Sequence, residues 1–545
     1  MKVAAAVAEI LKREGVQFLI GYPVNPVIEA AAAADIRTII VRQERVGLHM
    51  ADAVSRLSSG RTLGVFALQH GPGAENAFGG IAQAYSESVP IVVIAAGYGR
   101  RLNNYPPFFS AYLNYQRIVK WIEQLNCADA APDVLRRVFT QARNGRPRPA
   151  VVEIPVDVYQ EEVPEPLNYQ PTFQTRYGPD PQVIPGVAEA LLKSDRPLIY
   201  AGQGVHYAQA WAALKELAEL LEAPVITSLQ GKSAFPETHP LSAGSGGRSL
   251  PRTVYHCLQQ ADLIFGIGCS FTTSNFAAPI PKGKPVIHAT LDSEDLNKNV
   301  IATHALVGDA GLILEELLPE VRDRLKGKPR GRATAVAEEI KRVEGEWMAE
   351  WRPKLMSDEV PLCPYRVLAD LYQTVDVANT IITHDAGSPR DQLSPFWKSV
   401  APLTYIGWGK TTQLGYGLGL TMGAKLARPE KLCINVWGDA AIGMTGMDFE
   451  TAVRERIPIL SVLLNNFSMA MELPVMKVAT EKYRSTDISG NYADMARAFG
   501  GYGERVTTPG EIVPAIRRGI RKTQEGVPVL LEFLTSKELA CSRFV

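Results

Sequence analysis

Short runs rich in Val, Ile and Leu alternate along this chain with longer stretches whose apolar residues recur every three to four positions. The runs suit strands buried on both faces, and the longer stretches suit helices packed by one face. From Met1 to about Gln160 the pattern predicts a helix near Val3 to Arg13 and strands in FLIGYP, TIIVRQ, LGVFALQHG, PIVVIAAG and AVVEIPVD. Between Pro164 and Pro185 proline, polar and turn residues crowd together without periodicity, as in an interdomain linker. A second unit follows, with strands in PLIYAGQG, APVITSL, ADLIFGIG and KPVIHATLD and an amphipathic helix in AWAALKELAELLEA, ending near Leu325. A charged segment of helical pattern leads to a third unit, with strands in NTIITHDAG, PLTYIGWG, KLCINVWGDA, PILSVLLNN and PVLLEFLT. Strands alternating with helices predict an α/β protein built from doubly wound parallel sheets. Three domains are expected, over residues 1–165, 183–325 and 360–545.

Composition narrows the function classes. At 545 residues, several folded cores are affordable. Lys and Arg number 57 and Asp and Glu 57, so the formal net charge is zero. That removes the electrostatic footprint of a nucleic-acid or anionic-membrane binder, and any charged ligand must be met locally. The six cysteines lack zinc-site or disulfide-framework spacing. The first residues mix Glu and Lys into an apolar pattern, unlike a secretory leader, and the longest apolar run, Ile91 to Ala96, is too short to span a bilayer. A cytoplasmic protein is expected.

One segment carries chemistry. Gly438, Asp439, Ala440 and Ala441 follow the strand LCINVW, and Asn465 and Asn466 follow the next one. Asp439 and Asn466 stand 27 residues apart, the length of one strand–helix–strand crossover, which returns both to the same sheet edge. An Asp carboxylate and an Asn amide oxygen are hard ligands for Mg²⁺, and nearby backbone N–H groups suit a diphosphate. Two ordinary capping turns at strand ends would look the same.

Other segments bear on that choice. GDAAIGMTGMDFETAVRERIPILSVLLNN resembles the thiamin diphosphate motif of the acetolactate synthase and 2-oxo acid decarboxylase superfamily. VRQERVGLHMADAVSR, FALQHGPGAENAFGGIAQAYSESVPIVVI and QLGYGLGLTMGAKLARP resemble further family stretches in the right order, as do RPLIYAGQGV, APVITSLQGKSAFPETHPL and ADLIFGIG in the middle of the chain. The resemblance implies pyrimidine-binding, central and diphosphate-binding domains in that order. It makes Glu44 the carboxylate that hydrogen-bonds the cofactor's pyrimidine ring, so that the cofactor's own nitrogen takes the thiazolium C2 proton. Read alone, Glu44 would pair with Arg42 or Arg45 on a surface. Metal ligands carry over as Asp439, Asn466 and the Ser468 carbonyl, with Gly438 opening the motif and the N–H groups of Ala440 and Ala441 facing the diphosphate. Ala440 replaces the family's usual glycine. Leu414 matches the apolar wedge that bends the cofactor, and the Thr412 carbonyl matches the acceptor of its amino group.

At the substrate end, Asn25, Gln69 and His70 correspond to pocket positions, and Glu472 matches a carboxylate that moves protons in pyruvate-decarboxylase-like enzymes. Acetolactate synthases resemble one another there in an apolar residue followed by a tryptophan that this chain lacks. The implied reaction is cleavage or ligation of a carbon–carbon bond in a 2-oxo acid, with an acyl-CoA lyase or oxalyl-CoA decarboxylase as the alternative. In the central domain, FAD, ADP or CoA are family ligands; Gly202–Gly204 and Asp292 are weak signals for one, equally explained as strand-end turns. Active sites shared between subunits, in an obligate homodimer or homotetramer, complete the expectation.

Overall fold

The computed structural model describes residues 1–544. Its backbone forms three sheets, of six, six and five strands, and every strand pair within them is parallel. The first sheet runs, edge to edge, Arg37–Ile40, Phe18–Tyr22, Gly64–Leu68, Ile91–Gly97, Ala150–Pro155 and Trp121–Gln124. The second runs His304–Val307, Val286–Thr290, Leu263–Ile267, Pro197–Ala201, Val225–Ser228 and Ser242–Gly246. The third runs Thr380–His384, Leu432–Gly438, Leu460–Asn465, Val529–Leu534 and Tyr502–Val506. Central strands such as Ile91–Gly97 are buried along their whole length because helices cover both faces, which is why their sequences read as unbroken apolar runs. The helix expected near the start spans Val3–Arg13, and no helix or strand lies between Gln160 and Ile184, where the linker was expected.

One expected strand is absent. PLTYIGWG forms no strand; it makes a single bridge, Ile382 with Tyr405, and otherwise runs as irregular chain. Its apolar residues are buried by contact between units instead. Arg56, on the helix Glu44–Leu57, donates to the Gly407 carbonyl at 2.6 Å and to the Tyr416 hydroxyl at 3.0 Å. The buried Glu87 carboxylate accepts the N–H groups of Gly409, Lys410 and Thr411. A chain whose N–H and C=O groups are met this way needs no ladder to be buried.

The same contact brings the helix Glu44–Leu57 against the helix Tyr416–Ala427. Glycines set the distance: a Cβ at Gly419 would lie 2.5 Å from the Val46 carbonyl oxygen, and one at Gly423 would lie 2.2 Å from that of Met50. The first and third units thus share one apolar core, in which Val46, Met50, Trp408, Tyr416 and Trp437 are all buried. Where the second unit meets the third, Glu237, held in a buried ion pair with Lys232 at 2.6 Å inside the second unit, accepts the Ser399 N–H of the third.

Candidate active site

In a parallel sheet, ligands are met at the carboxyl ends of the strands. Three neighbouring strands of the third sheet deliver their following residues to one cavity of about 480 Å³. Thr380–His384 is followed by Gly387, Leu432–Gly438 by Asp439, and Leu460–Asn465 by Asn466. Thr412, Leu414, Gly438, Ala440, Ala441, Ser468 and Glu472 line the same cavity. The crossover read from the spacing therefore does place Asp439 beside Asn466.

Asp439 is buried, and its carboxylate is tightly tied. Oδ1 accepts the Ala440 N–H at 2.9 Å, and Oδ2 accepts the N–H groups of Asn466 at 3.2 Å and Ser468 at 3.0 Å. Asn466 Oδ1 accepts the Ser468 N–H at 3.0 Å. Burial raises the Asp439 carboxyl above its usual range in spite of these donors. Glu472 is exposed at the cavity edge, in the short turn Ala470–Glu472.

The donor set fits a divalent cation holding a diphosphate. One buried carboxylate and one amide oxygen, with backbone carbonyls nearby, are hard oxygen ligands that suit Mg²⁺ and not a soft metal. Among the described residues no three His, Cys, Asp or Glu side chains gather as a metal cage, so a metal here would rest on this mixed set. Gly387 opens the cradle: its φ is +79°, and a Cβ there would meet nothing within 4 Å. Any other residue would be strained and would fill the space a ligand needs.

The N-terminal candidates gather elsewhere. Glu44, Gln69, His70 and Asn25 follow the carboxyl ends of three adjacent strands of the first sheet, and none lines the 480 Å³ cavity. Glu44 is buried; a Cβ placed at Gly73 would lie 3.4 Å from its Oε1 and 3.0 Å from the Gln69 Cβ, so Glu44 and Gln69 flank one glycine. Burial raises the Glu44 carboxyl, against its own backbone N–H and the Asn76 amide, which lower it. Arg42 instead pairs with Glu450 at 2.7 Å, so Glu44 is not spent in a surface ion pair with it. His70 packs edge-on against Tyr98 at 4.7 Å. Asn25 is exposed at the start of the helix Asn25–Ala33.

Arg390, Arg248 and Phe276 are among the cavity residues that the sequence does not single out. Arg390 follows Gly387 by three positions, and Arg248 and Phe276 come from the central unit. A lone arginine after a strand gives no signal, and residues more than a hundred positions away join the cavity only through packing.

Comparison with known proteins agrees with the arrangement. Residues 1–121 match the thiamine pyrophosphate enzyme N-terminal TPP binding domain, 184–317 the central domain, and 385–533 the C-terminal TPP binding domain. The acetolactate synthase large subunit of Haemophilus influenzae is 30% identical over 537 residues, covering 93% of this chain and 90% of that protein. The probable acetolactate synthase large subunit of Methanocaldococcus jannaschii is 29% identical, covering 98% and 92%, and isozyme 3 of Escherichia coli is 28% identical, covering 97% and 94%. With parallel sheets in all three units and the diphosphate motif delivered to one cavity, the chain belongs to the thiamin diphosphate-dependent enzymes of the acetolactate synthase and 2-oxo acid decarboxylase superfamily.

Proposed function

We propose that the protein cleaves or joins a carbon–carbon bond of a 2-oxo acid, using thiamin diphosphate held through Mg²⁺. The observation that carries this reading is the convergence of Asp439, Asn466, Ser468, Thr412, Leu414 and Glu472 on one cavity. Asp439, Asn466 and the Ser468 carbonyl would hold the metal, and the backbone beside Gly438, Ala440 and Ala441 would face the diphosphate. Bound thiamin diphosphate supplies a carbon nucleophile and an electron sink for the bond beside a carbonyl. Leu414 and the Thr412 carbonyl orient the ring system, and Glu44 holds the proton of the pyrimidine nitrogen. A raised carboxyl is suited to sharing that proton. Glu472, at the cavity edge, moves protons to and from the reacting carbon, while Gln69, His70 and Asn25 contact substrate.

Glu44 does not line the cavity that holds Asp439 within one chain, which supports a site completed by a second copy. Exposed apolar side chains stand near both halves in the chain: Met444 and Met447 after Ala441, Phe467 between Asn466 and Ser468, Val475 and Val478 after Glu472, and Phe78 two residues from Asn76. A partner that covers both sets removes a large apolar surface from water and excludes water from the reacting groups.

Glu44→Ala tests the assignment. It should slow C2 hydrogen–deuterium exchange of bound cofactor by about a hundredfold or more, the scale of a lost acid–base group, while Mg²⁺-dependent cofactor affinity stays within about fivefold. Unchanged exchange overturns the role of Glu44. Release of CO₂ from 2-oxo acids, starting with pyruvate, checks the substrate class, and turnover of CoA thioesters alone would replace it with the acyl-CoA reading.

A further inference from the structure

Arg390 is a buried guanidinium that uses one of its five N–H donors. Its side chain is 3% exposed, and it lines the cavity that holds Asp439 and Asn466. Nε donates to Asp391 Oδ1 at 2.8 Å, whereas neither terminal nitrogen donates to any group of the described residues. The guanidinium carbon stands 4.3 Å from the centroid of Phe276 and 5.9 Å from that of Trp408, which fixes the plane of the fork.

Charge makes the unused edge costly. Asp391, 1% exposed, serves two guanidiniums, since Arg543 donates to its other oxygen at 2.8 Å. Arg543 is 30% exposed and water meets part of its charge, but Arg390, 3% exposed, has only a shared carboxylate as counter-ion, and a buried charge is expensive unless it is fully met. Arg248, on the same cavity, is exposed and forms no ion pair among the described residues. Two arginines thus reach one cavity with N–H groups to spare. A planar fork held rigid by a carboxylate and an aromatic face is the arrangement that binds a two-oxygen anion bidentately.

We propose that Arg390, assisted by Arg248 at the rim, is an oxyanion clamp of this cavity, taking either a carboxylate of the substrate or a phosphate oxygen pair of the cofactor. The proposal rests on the cavity being the thiamin diphosphate site. Full-length protein with Mg²⁺ is titrated calorimetrically with thiamin diphosphate and with thiamin, and the cofactor-loaded protein with oxamate and its uncharged ethyl ester. In Arg390→Gln, affinity for thiamin diphosphate falling about tenfold or more with thiamin unchanged assigns the clamp to phosphate. A comparable fall for oxamate, with the ester and the cofactor unchanged, assigns it to the substrate carboxylate.

Arg390→Lys keeps the buried charge and loses the fork, and should weaken the same ligand severalfold. Arg248→Gln, at an exposed position, should weaken it about threefold. Affinities for both anions within twofold of wild type in the three variants overturn the clamp, and if Arg390→Gln does not fold, the same result in the other two overturns it. Wild-type protein that fails to bind thiamin diphosphate with Mg²⁺ overturns the underlying reading of the cavity instead.

Discussion

The second and third units are the same kind of sheet with crevices at the same edge, yet the two crevices differ in what they leave unsatisfied. The cavity of the third unit, about 480 Å³, is opened by Gly387 and lined by Arg390, whose terminal nitrogens have no partner among the described residues. The crevice of the second measures only about 120 Å³; Arg146, Asp292, Asp295 and Lys298 are tied to one another there, and the Lys410 ammonium on the same lining makes no ion pair among the described residues. It lies at the switch point between Pro197–Ala201 and Leu263–Ile267. There Gly202 and Gly204 pack directly on the Gly268 backbone, and a Cβ on Gly202 would come within 2.3 Å of the Gly268 carbonyl oxygen. Asp295 pairs with Arg146 and with Lys298, and the Phe271 ring lies against Tyr200 and His288. Topology places a crevice in both sheets, but only one keeps the volume of a small-molecule site, ordinarily about 300–1,000 Å³.

The most direct way to break this contrast is to remove one polar group from each crevice. Asp439→Ala should lower Mg²⁺-dependent affinity for thiamin diphosphate by about a hundredfold or more, since second-shell losses alone cost 10–100-fold at metal sites, with the melting temperature of ligand-free protein little changed. Calorimetric titration checks this, and retained affinity would mean that the cavity is shaped for something else.

Asp295→Ala should do the reverse. Removing the shared carboxylate leaves Arg146 with Asp292, at 3.6 Å, as its remaining ion-pair partner and leaves the part-exposed Lys298 with no ion pair among the described residues, a loss of about 1–3 kcal/mol on the scale of a hydrogen bond to a charged group. Thermal unfolding should report that loss while thiamin diphosphate affinity stays within twofold. The pH dependence sharpens the point. Burial raises the Asp295 carboxyl, but Arg146 and Lys298 outweigh it and hold it below the usual aspartate range. A depressed carboxyl contributes stability that is present above its unfolded value, near 3.8, and lost as the pH falls through the lower folded value. Wild type should therefore lose its advantage over Asp295→Ala below about pH 4, as urea melts across that range would show.

Disruption of the glycine-set helix contact between the first and third units should be no more severe. Gly423→Ala puts a methyl group onto the Met50 carbonyl, where overpacking costs about 1–3 kcal/mol. Because the contact holds the Glu44 and Tyr416 helices together, the loss should fall on stability and not on Mg²⁺ affinity. A neutral Gly423→Ala, measured by urea unfolding, would mean that the two helices separate freely.

Legibility in the sequence followed burial. Strands covered on both faces were readable as apolar runs, whereas Trp121–Gln124, Ser242–Gly246, His304–Val307 and Tyr502–Val506 were not, and all four lie at sheet edges. An edge strand is covered less completely, so its sequence mixes polar and apolar residues as a loop does. PLTYIGWG failed in the opposite sense, being apolar for contact between units and not for a ladder. The Asp439–Asn466 juxtaposition was readable because a crossover has a fixed length. Arg390 was not, because its meaning depends on Phe276 and Arg543, which reach it only in the folded chain.

The smallest expected effect is the sharpest test of the contrast. A nucleotide at 100 times its dissociation constant stabilises a folded protein by about 2.7 kcal/mol, which for a chain of this size is a shift of a few degrees. ADP or FAD at millimolar concentration should move the melting temperature by less than about 1 °C, and Asp292→Ala should change that response not at all. The reason is steric before it is electrostatic: a crevice of 120 Å³ is well below the volume of an ordinary ligand site, and widening it requires that Phe271, tilted against Tyr200, move and the Arg146 pairs open. A shift of several degrees that Asp292→Ala abolishes would show that those pairs are a latch, and that the second crevice is as much a binding site as the first.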